Sequence, residues 1–173
     1  MNFDNIPFHP KPMEQINEIV GLLSKTFLTK NIEKKDIEKI AGAMKPRSFK
    51  KGQDIITYGD FGEEYFVLAK GTVRVLVYKN DTDPKDPKLE DKIAFQKTME
   101  AGEGFGELAL MYNSKRTATI RAETDEVETY VLDGTIFKTI IIKSSIDKRN
   151  IQSDFLNKIP MFGKLIYFYN TNK

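Results

Sequence analysis

The sequence predicts an α+β chain in which helices precede and follow an antiparallel β-barrel. Three observations carry that expectation. Apolar residues recur at helical spacing between Met13 and Met44, and again after Asp133. Short β-prone runs divided by glycines fill the middle. Within those runs apolar residues alternate, as they do on strands with one buried face.

Residues 1–12 hold three prolines and little periodicity, and read as an extended arm in which His9 is solvated. From Met13, the residues Ile16, Ile19, Val20, Leu23 and Phe27 fall on one helical face. A second helix follows, with Ile37, Ile40, Ala41 and Met44 apolar; it should stop at Lys45, since Pro46 disfavours a helical residue before it. The run "SFKKGQDIITYGDFGEEYFVLAKGTVRVLVYK" then gives strands with turns at Gly52, Gly59, Gly62 and Gly71. Val73, Val75 and Val77 should face inward, opposite Arg74, Leu76 and Tyr78. The connection "KNDTDPKDPKLEDK" (79–92) reads as a solvated hairpin loop. Strands resume at "KIAFQKTME", "TATIRAE" and "VETYVLD".

Beyond them, Asp133 can cap a helix carrying Ile136, Phe137, Ile140 and Ile141. Ser144 and Asp147 offer a capping box for another helix with Ile151, Phe155 and Ile159, which Pro160 stops. The expected division is 1–45, an arm with helices; 46–134, the barrel; and 135–173, C-terminal helices and a tail.

Composition narrows the function classes. With 27 Lys and Arg against 25 Asp and Glu the formal charge is +2, too balanced to imply a nucleic-acid partner. There is no cysteine and only one histidine, which argues against thiolate or imidazole chemistry and suits a reducing compartment. No apolar run approaches the roughly 20 residues of a membrane span, and "MNFDNIPFHPKP" lacks the pattern of a signal peptide. A cytoplasmic, non-catalytic domain without cofactor, metal, membrane or nucleic-acid partner is the expectation.

One stretch breaks the ordinary pattern of a core. "GFGELALMYNSKRTATIRAE" (104–123) sets Glu107 and Arg116 among residues that otherwise look buried, although each charge loses its water on burial. Gly102, Gly104 and Gly106 permit close backbone approach or positive φ. The apolar "ELALMY" allows a helix of one or two turns whose first N–H groups suit an anion. Arg116 offers a forked, permanently charged donor array for phosphate oxygens. Glu107, acceptor-only when ionised, suits a sugar hydroxyl. Together they describe a site for a sugar phosphate. The plainer alternative is a structural ion pair between Glu107 and Arg116, with Thr117 as an ordinary strand residue.

The segment resembles the phosphate-binding cassette of the cyclic-nucleotide-binding domain, found in regulatory subunits of cAMP-dependent protein kinase and in cGMP-dependent protein kinase. That pattern is F-G-E-[LIV]-A-L, five spacer residues, then R-x-A-T-[VI]. This chain has Phe105-Gly106-Glu107-Leu108-Ala109-Leu110, then 111–115, then Arg116-Thr117-Ala118-Thr119-Ile120. The resemblance extends over about 12–163 and includes the helical lead-in, the first hairpins and "IQSDFLNKIPMF"; Tyr130 stands where many members have Trp. It implies a jelly-roll-like barrel with the cassette at 104–120. Glu107 would accept from the ribose 2′-hydroxyl, and Arg116 would pair with the exocyclic oxygens of the cyclic phosphate. Backbone N–H groups near Gly106, Leu108, Ala109 and Ala118 would add donors. Thr117 sits where cGMP-selective sites carry a hydroxyl and cAMP-selective ones an alanine, which leans toward cGMP over cAMP. An aromatic cap over the base makes Tyr167 and Tyr169 candidates. The implied role is switching of a protein kinase catalytic domain, in cis or in trans, through C-terminal helix movement.

Other classes fit less well. The kinase-like G-x-G-x-x-G fails at Glu107, and no H-R-D or D-F-G follows. A transcription regulator would need a helix-turn-helix after Pro160, and a channel fragment would need a membrane segment. Those two remain the alternative reading.

Overall fold

The computed structural model describes residues 6–26, 29, 32–140 and 142. Helix α1 (Met13–Leu23) buries Ile19 and Leu23 completely, on the face that the spacing selects. Helix α2 (Lys34–Ala43) buries Ile37, Ile40 and Ala41 and ends before Lys45. Met44 is already extended, and Lys45 opens strand β1 (Lys45–Lys50). Strand β1 lies at a sheet edge, where Pro46 costs no ladder bond on its open side. The arm is not free in solvent. His9 N–H and Lys11 Nζ both donate to the Gly42 carbonyl, at 2.9 and 2.8 Å, and the Phe8 ring lies over Gly42.

The remaining strands are β2 (Asp54–Ile56), β3 (Glu64–Lys70), β4 (Thr72–Tyr78), β5 (Ile93–Glu100), β6 (Gly104–Phe105), β7 (Ala118–Ala122) and β8 (Glu126–Asp133). A short helix, α3 (Glu107–Met111), follows β6. The strands form two four-stranded antiparallel sheets, ordered β1-β8-β3-β6 and β2-β7-β4-β5, the barrel that the glycine-punctuated pattern predicts, in the jelly-roll-like form that the resemblance implies. Their inner faces share one core that includes Phe66, Leu68, Val73, Phe105 and Val127. Each such side chain contributes about 1.5–3 kcal/mol on burial, so alternation decides which face turns inward.

Strand β4 departs from simple alternation. Leu76 and Tyr78 are buried as well as Val73 and Val75, because the outer face near Tyr78 is covered by the Tyr58 ring, 4.9 Å away. The connection 79–92 is exposed over most of its length, as its reading as a solvated loop expects, yet it is docked at particular residues. Thr82 is 7% exposed, and Glu90 joins Arg121 at 2.9 Å.

After β8, Asp133 Oδ1 accepts from the N–H groups of Thr135 and Ile136, the cap predicted for the helical run that opens at Gly134. Met1–Lys138 forms one compact unit and Thr139–Lys173 a second. The expected capping box at Ser144 and Asp147, the helix carrying Ile151, Phe155 and Ile159, and Tyr167 and Tyr169 lie outside the described residues. Among the described residues no helix is long and apolar enough to cross a membrane.

Candidate functional site

Strand β3 is the platform. It pairs with β6 through Phe66–Phe105 and Val67–Gly104, and the rings of Phe66 and Phe105 stack at 5.3 Å. The chain can pass there only because Gly104 has no side chain: a Cβ on it would stand 2.0 Å from the Tyr65 hydroxyl. Two residues on, Gly106 takes φ +88°, a left-handed conformation open to glycine, and becomes the N-cap of α3. No side chain caps the helix, so its first-turn N–H groups are left to other partners. Glu107, the first helical residue, is half-buried.

Arg116 lies between α3 and β7, outside the regular ladder. Its backbone is held from the turn after β2: Arg116 N–H donates to the Asp60 carbonyl at 2.7 Å, and Gly59 N–H donates to the Arg116 carbonyl at 2.9 Å. The side chain then runs inward and is 7% exposed. Nη1 donates to the Gly106 carbonyl at 2.6 Å, and Nη2 to the Glu64 carbonyl at 2.7 Å. Gly62 packs beneath the guanidinium, where a Cβ would come 3.1 Å from its central carbon. Burial pushes the Arg116 pKa down, while the charges of Glu64, Glu107 and Asp60 oppose that shift. Among the described residues no carboxylate forms an ion pair with Arg116. Glu64 is already engaged, since both its carboxylate oxygens take Arg47 at 2.7 Å.

These pieces wall a cavity of about 190 Å³, several times the roughly 30 Å³ share of one water. Gly106, Glu107, Leu108, Ala109, Arg116, Thr117 and Ala118 all line it, so the structure brings the sequence-predicted site residues together. The lining is charged at Arg116, Glu107 and Lys97, while Ile56, Val75, Met99 and Ile120 supply apolar wall. Glu107 and Arg116 do not clasp each other as a structural ion pair, which leaves both open to a ligand. Glu107 and Leu108 also border a second hollow of about 270 Å³ with Thr26, Tyr65 and Tyr112. Among the described residues no acidic or histidine cluster could hold a metal.

Sequence reasoning missed Lys97. In the ladder Ile120 pairs with Val75 and Val75 with Lys97, so one row crosses three strands on one face. Lys97 lines the cavity from β5, and its side chain makes no hydrogen bond or ion pair among the described residues. The signal was its parity with Met99, two residues along the strand and buried.

Comparison with known proteins agrees with this fold. The family model of the cyclic nucleotide-binding domain matches residues 46–144. The cAMP-dependent protein kinase regulatory subunit of Neurospora crassa is 34% identical over 162 residues, covering 92% of this chain and 41% of that protein. The chain spans about two-fifths of the length of the curated relatives it matches. Among solved structures, the regulatory subunit of a cAMP-independent protein kinase A from Trypanosoma cruzi, bound to guanosine, is 26% identical with a TM-score of 0.70, over 94% of this chain and 53% of that one. A triple mutant of the corresponding Trypanosoma brucei subunit, bound to cAMP in its A site, is 25% identical with a TM-score of 0.67, over 91% and 53%.

Proposed function

The chain belongs to the cyclic nucleotide-binding domain family, and from that premise we propose that its cavity binds a purine 3′,5′-cyclic nucleotide. One observation carries the reading: a buried guanidinium whose hydrogen bonds go to two neutral carbonyls and which forms no ion pair among the described residues. A buried cation without a partner costs several kcal/mol, and an anion entering the cavity offsets that cost. In this reading Arg116 takes the exocyclic phosphate oxygens, and the uncapped N–H groups after Gly106 add donors. Glu107 accepts from the ribose 2′-hydroxyl, and Leu108, Ala109 and Ala118 complete the lining.

The base then meets Val75, Met99, Thr117 and Lys97. Guanine presents O6 and N7 acceptors to a lysine and a 2-amino donor to a hydroxyl, whereas adenine offers an amino donor in place of O6. Among the described residues the side chains of Thr117 and Lys97 make no hydrogen bond. Each bond is worth about 0.5–1.5 kcal/mol, which gives cGMP up to roughly tenfold per bond over cAMP. The relatives are regulatory subunits, so we assign the chain a binding role without catalysis. Its output is control of a kinase catalytic domain, in cis or in trans, through segment 135–173. A ligand drives such a switch only by its difference in affinity for the two states.

Calorimetric titration with cAMP and with cGMP tests this. Saturable binding of either, displaced by the other, is expected. Heat from neither would refute the reading.

A further inference from the structure

The connection 79–92 has the composition of a solvent loop but is pinned to the barrel at the turn that holds the Arg116 backbone. Its base is closed by Lys79 N–H donating to the Lys92 carbonyl at 2.9 Å, and Lys92 Nζ pairs with Asp86. Thr82 is buried; its hydroxyl bonds back to the Lys79 carbonyl at 2.7 Å, and its own carbonyl accepts the Tyr58 hydroxyl at 3.0 Å. Pro84 sits against Gly59 so closely that a Cβ on that glycine would lie 2.3 Å from the proline Cγ. Gly59 has φ +86°, so neither the backbone shape nor the space there admits a side chain easily.

The connection thus packs on Tyr58 and Gly59 of turn 57–60, and that turn holds Arg116 at both backbone groups: Gly59 N–H on its carbonyl, Asp60 carbonyl on its N–H. A second tie runs deeper. Tyr58 N–H and the Tyr78 hydroxyl both reach Thr119 Oγ1 at 3.1 Å, three residues beyond Arg116. Arg116 itself precedes β7, so these contacts, not a strand ladder, fix where its side chain starts. A guanidinium held on two carbonyls has little tolerance: a shift of a few tenths of an ångström at the backbone misaims its remaining N–H groups.

We propose that the connection between β4 and β5 is a clasp that sets the position of Arg116, with Tyr58 and Pro84 as positioning residues. The clasp touches no part of the cavity and acts through the turn. It rests on the reading of Arg116 as the phosphate ligand only for its effect on affinity; the effect on the side chain is independent of that reading.

Tyr58→Phe removes one hydroxyl and keeps the ring, and Pro84→Ala removes the cover on Gly59. In both variants cAMP should bind about three- to tenfold more weakly. Adenosine, which has the same base and ribose without phosphate, should bind each variant as it binds the parent protein. In the free protein, the Arg116 Nε–H resonance in heteronuclear NMR should shift in both variants. Unchanged cAMP affinity, or a parallel fall for cAMP and adenosine, overturns the clasp, since a general loosening weakens both. An unmoved Arg116 resonance overturns it even in a protein that binds no nucleotide, so the two readings fail separately.

Discussion

Nη1 of Arg116 donates to the carbonyl of Gly106 at 2.6 Å, and this bond depends on the glycine lacking a side chain. A Cβ on Gly106 would lie 2.8 Å from that nitrogen, and φ +88° already disfavours any other residue. The turn that starts α3 and the arginine after it therefore define each other. Nη2 is spent on the Glu64 carbonyl, so the pose is fixed before any ligand arrives.

Arg116→Lys keeps the charge but offers one ammonium where the site uses a fork. It should lose most of the affinity for a cyclic nucleotide, about 3–5 kcal/mol, or a hundred- to several-thousand-fold. Isothermal calorimetry on the variant checks this, and near-parent affinity would contradict the assignment of the phosphate to Arg116.

Gly104 and Tyr65 provide a test of packing. Gly104→Ala places a methyl 2.0 Å from the Tyr65 hydroxyl and 2.9 Å from its ring carbon, and should destabilise by about 1–3 kcal/mol. In a Tyr65→Phe background the nearest atom becomes that ring carbon, so the same substitution should cost clearly less. A double-mutant cycle by urea denaturation reads the difference. Additive losses would show that the hydroxyl is not the obstacle.

Much of this was legible in the sequence, for reasons that differ by residue. Glu107 and Arg116 stood out because charges set among glycines and small residues seldom serve packing alone. Gly106 was marked by its place before a short apolar helix, and Asp133 by its place before a new helical run. Lys97 escaped notice because its neighbours across the sheet, Val75 and Ile120, are chosen by strand register, which no local window contains. The docking of 79–92 was hidden by its composition: lysines, aspartates and prolines read as solvated, while the contacts that order it, Tyr58 with Thr82 and Gly59 with Pro84, are more than twenty residues apart. Helix α2 ended early because pairing of β1 with β8 claims Lys45, a tertiary effect.

Tyr65 should make the fold sensitive to alkali. Its hydroxyl is shielded and meets no well-placed hydrogen-bond partner among the described residues, and burial raises its pKa to about 12, against the opposing pull of the nearby Thr26 side chain and with a lesser push from Glu107. The unfolded phenol ionises near its ordinary value of 10, so between pH 10 and 12 the unfolded state sheds its proton first. Stability is fully present below pH 10 and falls as pH rises, by about 2 kcal/mol from this group. Tyr65→Phe should remove that loss and, by deleting an unsatisfied buried hydroxyl, should stabilise the neutral protein by about 1 kcal/mol. Denaturant midpoints at pH 7 and pH 11.5 on both proteins settle it. An equal drop in both would place the alkaline sensitivity elsewhere.

Arg47 should matter to a ligand it never touches. It binds both oxygens of the Glu64 carboxylate and so occupies the acid whose backbone carbonyl already holds Arg116. The pair is more than a third exposed, and its direct contribution to stability is no more than about 1 kcal/mol. Arg47→Met releases that carboxylate within electrostatic reach of the Arg116 guanidinium, where it competes with phosphate. Nucleotide affinity should fall by about three- to tenfold at low salt and recover partly as salt screens the acid. Adding Glu64→Gln to Arg47→Met removes the competitor and should restore affinity close to that of the parent. Affinity that stays low in the double variant would mean that Arg47 acts through packing on Phe66, whose ring it covers at 5.9 Å, and not through charge.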